Sequence, residues 1–156
     1  MRAIVRNAAR SAALVCIAAV FASADAHDDV MEVVTSMAGA LSEIGNGVAL
    51  RTVNVSKFMS AFSKDMPDRD TLENNVTALA NSGDISSSIE PLTEDGDEQA
   101  RTIDLDWLLE IRSLEQDGPL VRRREVVHCE LRKEKKQWKI IALKPIDFFA
   151  PANLGK

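Results

Sequence analysis

Between residues 102 and 112 the chain alternates strictly. Ile103, Leu105, Trp107, Leu109 and Ile111 share one parity, and Thr102, Asp104, Asp106, Glu110 and Arg112 share the other, with Leu108 as the exception. A period of two over this length predicts an antiparallel strand with one buried face. Asp117-Gly118-Pro119 then predicts a turn. Val127, Cys129 and Leu131 continue an apolar face, opposite Arg122, Arg124, His128, Glu130 and Arg132. A lysine-rich turn at 134–137 leads into 138–149, which is more uniformly apolar and predicts a last strand covered on both faces or central in the sheet. Pro145 is expected at an irregular point or an edge. Upstream, 85–92 alternates weakly and predicts a fourth strand. The acidic segment 93–98 contains Asp95-Gly96, a hairpin signal.

The first half of the chain carries the helical period instead. Val30, Val34, Met37, Leu41 and Ile44 predict an amphipathic helix over 28–44. Asp28 and Asp29 suit its N-terminal end, and Gly45-Asn46-Gly47 its stop. Residues 48–53 are ambiguous between loop and a turn of helix. Asn54 or Ser56 is the expected cap of a second helix with Phe58, Met59 and Phe62 on its apolar side, ended by Pro67. Asp70, with Glu73 three residues on, opens a third helix, and Leu72, Val76, Leu79 and Ala80 form its buried face. Helices followed by a strand meander make an α+β fold.

Residues 1–26 stand apart. Arg2, Arg6 and Arg10 precede the apolar run 11–21, and Ala24-Asp25-Ala26 or Ala22-Ser23-Ala24 supplies a small-residue cleavage pattern. These features predict a secretory signal peptide, hence a secreted or periplasmic location with no membrane anchor after cleavage. The expected organisation is a signal peptide over 1–26, one domain over 27–150 and a tail over 151–156. Removing 1–26 takes three arginines and one aspartate from 19 basic and 24 acidic residues, leaving 16 and 23, a formal charge of −7. An acidic chain of this kind is a poor nucleic-acid binder. Cys16 would leave with the signal, and a single remaining Cys129 can form no intramolecular disulfide and is expected to be buried.

Element order and hydrophobic pattern together resemble the nuclear-transport-factor-two, ketosteroid isomerase and SnoaL-like superfamily. The resemblance rests on three helices before a strand meander, on Trp107 in the long hairpin, on Trp138-Lys139-Ile140 opening the last strand, and on the ending Pro145-Ile146-Asp147-Phe148-Phe149. It spans about 28–149 and rests on no short motif. It implies a cystatin-like cone, with three N-terminal helices packed in the concave face of a curved antiparallel sheet of about four strands. It also implies a pocket at the open end and a homodimer through the outer sheet face. Phe58, Phe62, Trp107, Leu109, Val127 and Ile140 would then line an apolar ligand pocket. Arg123 and Glu125, which share parity with Val127, would be either a charged rim to that pocket or a strand end reaching past the core.

The chemistry of such a cone is harder to place. Isomerase members use a carboxylate base and a tyrosine, and this chain contains no tyrosine. Asp106 and His128 are the candidate acid–base pair if the hairpin pairs residues whose numbers sum to 234. Their parity, however, sets both on the outer face, away from a pocket. Asp95, Asp97 and Glu98 do not match a calcium loop, and a lone His27 is a weak copper ligand. No phosphate loop, paired-cysteine zinc pattern or nucleophile elbow is present, and no metal or cofactor is expected. Two sequons, at Asn54 and Asn75, are accounted for by capping and chance. The expected function is an exported, non-enzymatic domain that binds a small apolar ligand or a protein partner. The alternatives are an isomerase, dehydratase or hydrolase of the same fold, and a structural module with a filled interior.

Overall fold

The structure, a computed structural model, describes residues 12–42, 48–115 and 117–152, with side chains from residue 24 onward apart from 48–53. Three helices, α1 (Ala12–Ser42), α2 (Val48–Met59) and α3 (Arg69–Ser82), precede four strands, β1 (Gly83–Gly96), β2 (Ala100–Ser113), β3 (Leu120–Glu134) and β4 (Gln137–Lys144). A short 3-10 helix, Ile146–Phe149, closes the chain. The strands form one antiparallel meander in the order β1-β2-β3-β4. Among the described residues, no helix is long and apolar enough to cross a membrane.

The helices differ most from expectation at their ends. α1 begins at Ala12 and not at Asp28, because the apolar run before it continues the helix without a breaker. The expected stop at Gly45-Asn46-Gly47 lies outside the described residues. α2 starts before Asn54, which is a buried interior residue and not the cap. It ends at Met59, well before Pro67. The backbone of 61–63 then turns to β4: Ile140 N–H donates to Ala61 O at 2.9 Å, and Ser63 N–H donates to Ile140 O at 2.9 Å. In α3 the expected capping box is absent. Asp68 holds the cap position without a side-chain bond, and Glu73 pairs with Arg69 at 3.1 Å. Leu72, Val76, Leu79 and Ala80 are buried as the period required.

β2 alternates buried and half-buried residues along most of its length, as predicted. β1 is longer than expected and absorbs most of the acidic segment, so the turn is 97–99. The Asp97 carboxylate accepts from the N–H groups of Gln99 and Ala100 at 2.8 and 2.9 Å and so builds that turn. Gly96 sits at φ 132, and a Cβ there would meet Ala100 O at 2.3 Å. Only glycine fits both demands. Lys135 and Lys136, at φ 49 and 70, make the two-residue turn that matches the twist of β3 and β4.

The apolar stretch 138–149 is not one strand. β4 ends at Lys144, a cis Lys144-Pro145 bond follows, and the 3-10 helix drops Phe148 and Phe149 into the core. There Phe149 meets Trp107 edge-on with centroids 5.0 Å apart, Phe148 at 5.0 Å and Phe58 at 5.8 Å. Phe58 also meets Phe62 at 5.2 Å. The Trp107 indole N–H donates to Ser87 Oγ at 2.9 Å, so its one polar atom is satisfied inside the core.

Replacing Phe149 by Ala would open a cavity at the centre of this aromatic group. We expect a loss of about 3–5 kcal/mol, read as a lowered urea midpoint with an unchanged slope.

Candidate functional site

The inward face of the sheet and the segment at the end of α2 carry the residues expected to line a pocket. Phe58, Phe62, Trp107, Leu109, Val127 and Ile140 are all core side chains, none more than 3% exposed. Arg123 is half-buried. Its guanidinium donates to the carbonyls of Phe148 at 2.9 Å and Pro151 at 3.1 Å, and also to that of Ala150. It thus caps the unsatisfied carbonyls that end the 3-10 helix and clamps the C-terminal segment over the core. Burial pushes its pKa down. Glu125, its neighbour in parity, is exposed. Cys129 is fully buried, and burial pushes its thiol up to about 12, which leaves it without nucleophilic thiolate.

The outer face carries the titratable groups. The β2–β3 register differs from the expected one by two residues, which preserves every side chain's face but changes its partner. His128 lies opposite Asp104, and Asp106 lies opposite Val126. The pairing of Asp106 with His128 is therefore corrected. His128 Nδ1 meets Asp104 Oδ1 at 2.6 Å, while Arg124 grips Asp106 in bidentate fashion at 3.0 and 2.6 Å. Arg122 donates to Glu110. The expected register would have set Asp104 against Glu130 and Arg112 against Arg122, two like-charge contacts, and the observed register avoids both. Asp104 also accepts from the Thr93 hydroxyl at 2.6 Å. The Thr93 hydroxyl first, then His128, hold its carboxyl below the ordinary 3.8. Arg124 lowers Asp106 in the same way. Between the charges stand Leu108, half-buried, and Val126, 51% exposed.

Two clefts open elsewhere. One, of about 420 Å³, lies between α1, the end of α2 and the β3–β4 turn; Trp138 and Lys136 are on one side, and Asp29 and Glu32 on the other. The second, of about 250 Å³, runs beside Arg101, Glu130 and Leu131. Neither is lined by the expected pocket residues. Near the second, Arg101 is buried and paired with Glu94, whose other oxygen meets His27 Nδ1 at 2.5 Å. Among the described residues no three His, Cys, Asp or Glu side chains converge as a metal site.

No family model matches the chain, and no curated protein sequence matches it. Solved structures do. An NTF2-like protein with a cystatin-like fold from Novosphingobium aromaticivorans superposes with a TM-score of 0.61 at 10% identity, over 87% of this chain and 89% of that one. A protein of unknown function with a cystatin-like fold from Nostoc punctiforme gives 0.52 at 15% identity, over 74% and 85%. The association domain of C. elegans CaMKII gives 0.51 at 12%, over 78% and 95%. The fold is therefore the nuclear-transport-factor-two-like, cystatin-like one that the strand and helix order resembles.

The Asp104 carboxyl yields a pH test. A carboxyl with a depressed folded-state pKa stabilises the fold above its ordinary value and loses that contribution as pH falls through the folded-state value. Asp104→Asn is therefore expected to cost stability above about pH 4, with the deficit shrinking in stronger acid. Urea midpoints of both proteins across the acid range check this.

Proposed function

We propose that this chain, with the fold of nuclear-transport-factor-two-like proteins, is an exported, non-enzymatic association domain that pairs with a second copy of itself through its outer sheet face. The observation that carries the reading is Val126. It is half exposed, diagonal to Leu108, on a face where the neighbouring charges are already paired. Acidic groups stand on β2 (Asp104, Asp106, Glu110) and basic ones on β3 (Arg122, Arg124, His128). A two-fold axis through the face can set the acidic row of one copy against the basic row of the other, with Val126 and Leu108 of both copies at the centre. The match to an association domain is in keeping with this, at the level of fold.

The interior offers less to a ligand. The side chains on which a small apolar molecule would rest are packed against Phe148 and Phe149. Export rests on the signal-peptide pattern, and the burial along α1 is compatible with it. Ala24 and Asp25 are exposed, whereas Ala26 and Val30 are buried. A cut after Ala24 keeps every buried residue from Ala26 onward, and a cut after Ala26 removes only that one and keeps Val30, Val34, Met37 and Leu41.

Native mass spectrometry of the protein from its own host tests both parts. The expected species is a dimer of chains lacking the first 24 or 26 residues. Val126→Asp would bury an unpaired charge at the contact and is expected to weaken the dimer by about a hundredfold or more, with Tm little changed. A monomer at high concentration, or a dimer indifferent to this substitution, sinks the reading.

A further inference from the structure

The larger cleft has a feature that neither the fold nor the proposed pairing accounts for. Its two walls carry side chains of opposite charge. On α1, Asp29 and Glu32 lie one turn apart with Ser36 beyond them, and neither carboxylate makes an ion pair among the described residues. The opposite wall supplies Lys57, Lys136 and Lys139. Lys139 is held in place by donating to Ser60 O at 2.6 Å, at the end of α2. Lys136 sits on the β3–β4 turn at φ 70 and, like the two carboxylates, makes no ion pair among the described residues.

Trp138 supplies the second observation. It lines this cleft and is 4% exposed, yet its indole N–H is buried without an acceptor. Buried donors without partners are rare and costly, so the indole marks a strained point directly behind the cleft wall. Around it, Val33, Met37 and Ala61 make the cleft partly apolar. Its volume, about 420 Å³, falls within the range of small-molecule sites.

A purely anionic ligand would meet Asp29 and Glu32, and a purely cationic one would meet the lysines. A molecule with an ammonium at one end and a carboxylate at the other satisfies both walls. We infer that the cleft between α1 and the β3–β4 turn is a binding site for a small zwitterion of about dipeptide size. Asp29 and Glu32 take its ammonium, and Lys136, beside the Trp138 ring, takes its carboxylate. Val33 and Met37 carry its apolar body. The site is independent of the outer sheet face, so pairing and binding are separable.

The chain has two tryptophans, so its indole N–H signals in a nitrogen NMR spectrum report the site and its control together. The probe is the dipeptide glycyl-leucine, titrated into the isotope-labelled chain. The Trp138 indole signal is expected to move saturably, while that of Trp107, bonded to Ser87 in the core, stays still. Asp29→Asn with Glu32→Gln is expected to weaken binding about tenfold or more, as is Lys136→Gln. These side chains are exposed, and unchanged Tm values show that the variants fold. N-acetyl-glycyl-leucinamide, which lacks both charges, is expected to leave the Trp138 signal unmoved. The proposal is overturned if glycyl-leucine fails to move that signal, if the blocked peptide moves it equally, or if succinate or cadaverine alone binds as well.

Discussion

Trp107 is the side chain on which the rest of this fold depends. It is a large indole at the middle of β2, fully buried, and its N–H must be satisfied where no water reaches. Ser87 of β1 accepts that bond. The backbone of the same Ser87 is gripped from the other side by Ser42 Oγ at the end of α1, which accepts from its N–H at 2.8 Å and donates to its carbonyl at 3.1 Å. One chain of hydrogen bonds therefore ties the first helix to the first two strands. The ring's apolar faces do the remaining work. Phe148 and Phe149 close on it from the C-terminus, and Phe58 reaches Phe149 from α2. Arg123 then holds the carbonyls behind those two phenylalanines. Elements far apart in sequence converge on a single residue.

That convergence decides where chemistry can sit. Hydrocarbon and aromatic rings fill the space beneath β2, and the charged groups are displaced outward. On the outer face they find one another across strands, at exposures where each pair stabilises the fold only modestly. An acid beside an imidazole, Asp104 with His128, is placed in that row between Thr93 and the neighbouring ion pairs. Its surroundings are those of a cross-strand contact.

Much of this was legible in the sequence, for physical reasons. Strand parity follows from a period of two, so the burial of Ile103 through Ile111 and the outward aim of Asp106 and His128 could be read directly. Register could not be read from favourable pairs alone, since two alignments of β2 and β3 both offered opposite charges. The like-charge contacts Asp104–Glu130 and Arg112–Arg122 held the discriminating signal. Helix ends were the weakest point, because α2 stops where 61–63 finds a backbone partner in β4, a contact made 78 residues away. The terminal Phe148 and Phe149 read as strand because apolar runs look alike whether they pair or plug. The zwitterionic cleft had no motif at all, as Asp29, Glu32, Lys136 and Trp138 meet only in the folded chain.

Both margins of the sheet are interrupted as templates for further strands. On β4 the backbone of 61–63 already occupies Ile140, and on β1 Ser42 occupies Ser87. Farther along β1, Pro91 brings no N–H and a bulge follows it before Thr93. An extended peptide therefore meets an interrupted ladder on either margin, which disfavours edge-to-edge stacking of copies. Growth by adding strand to strand is thus disfavoured at both margins by the fold itself.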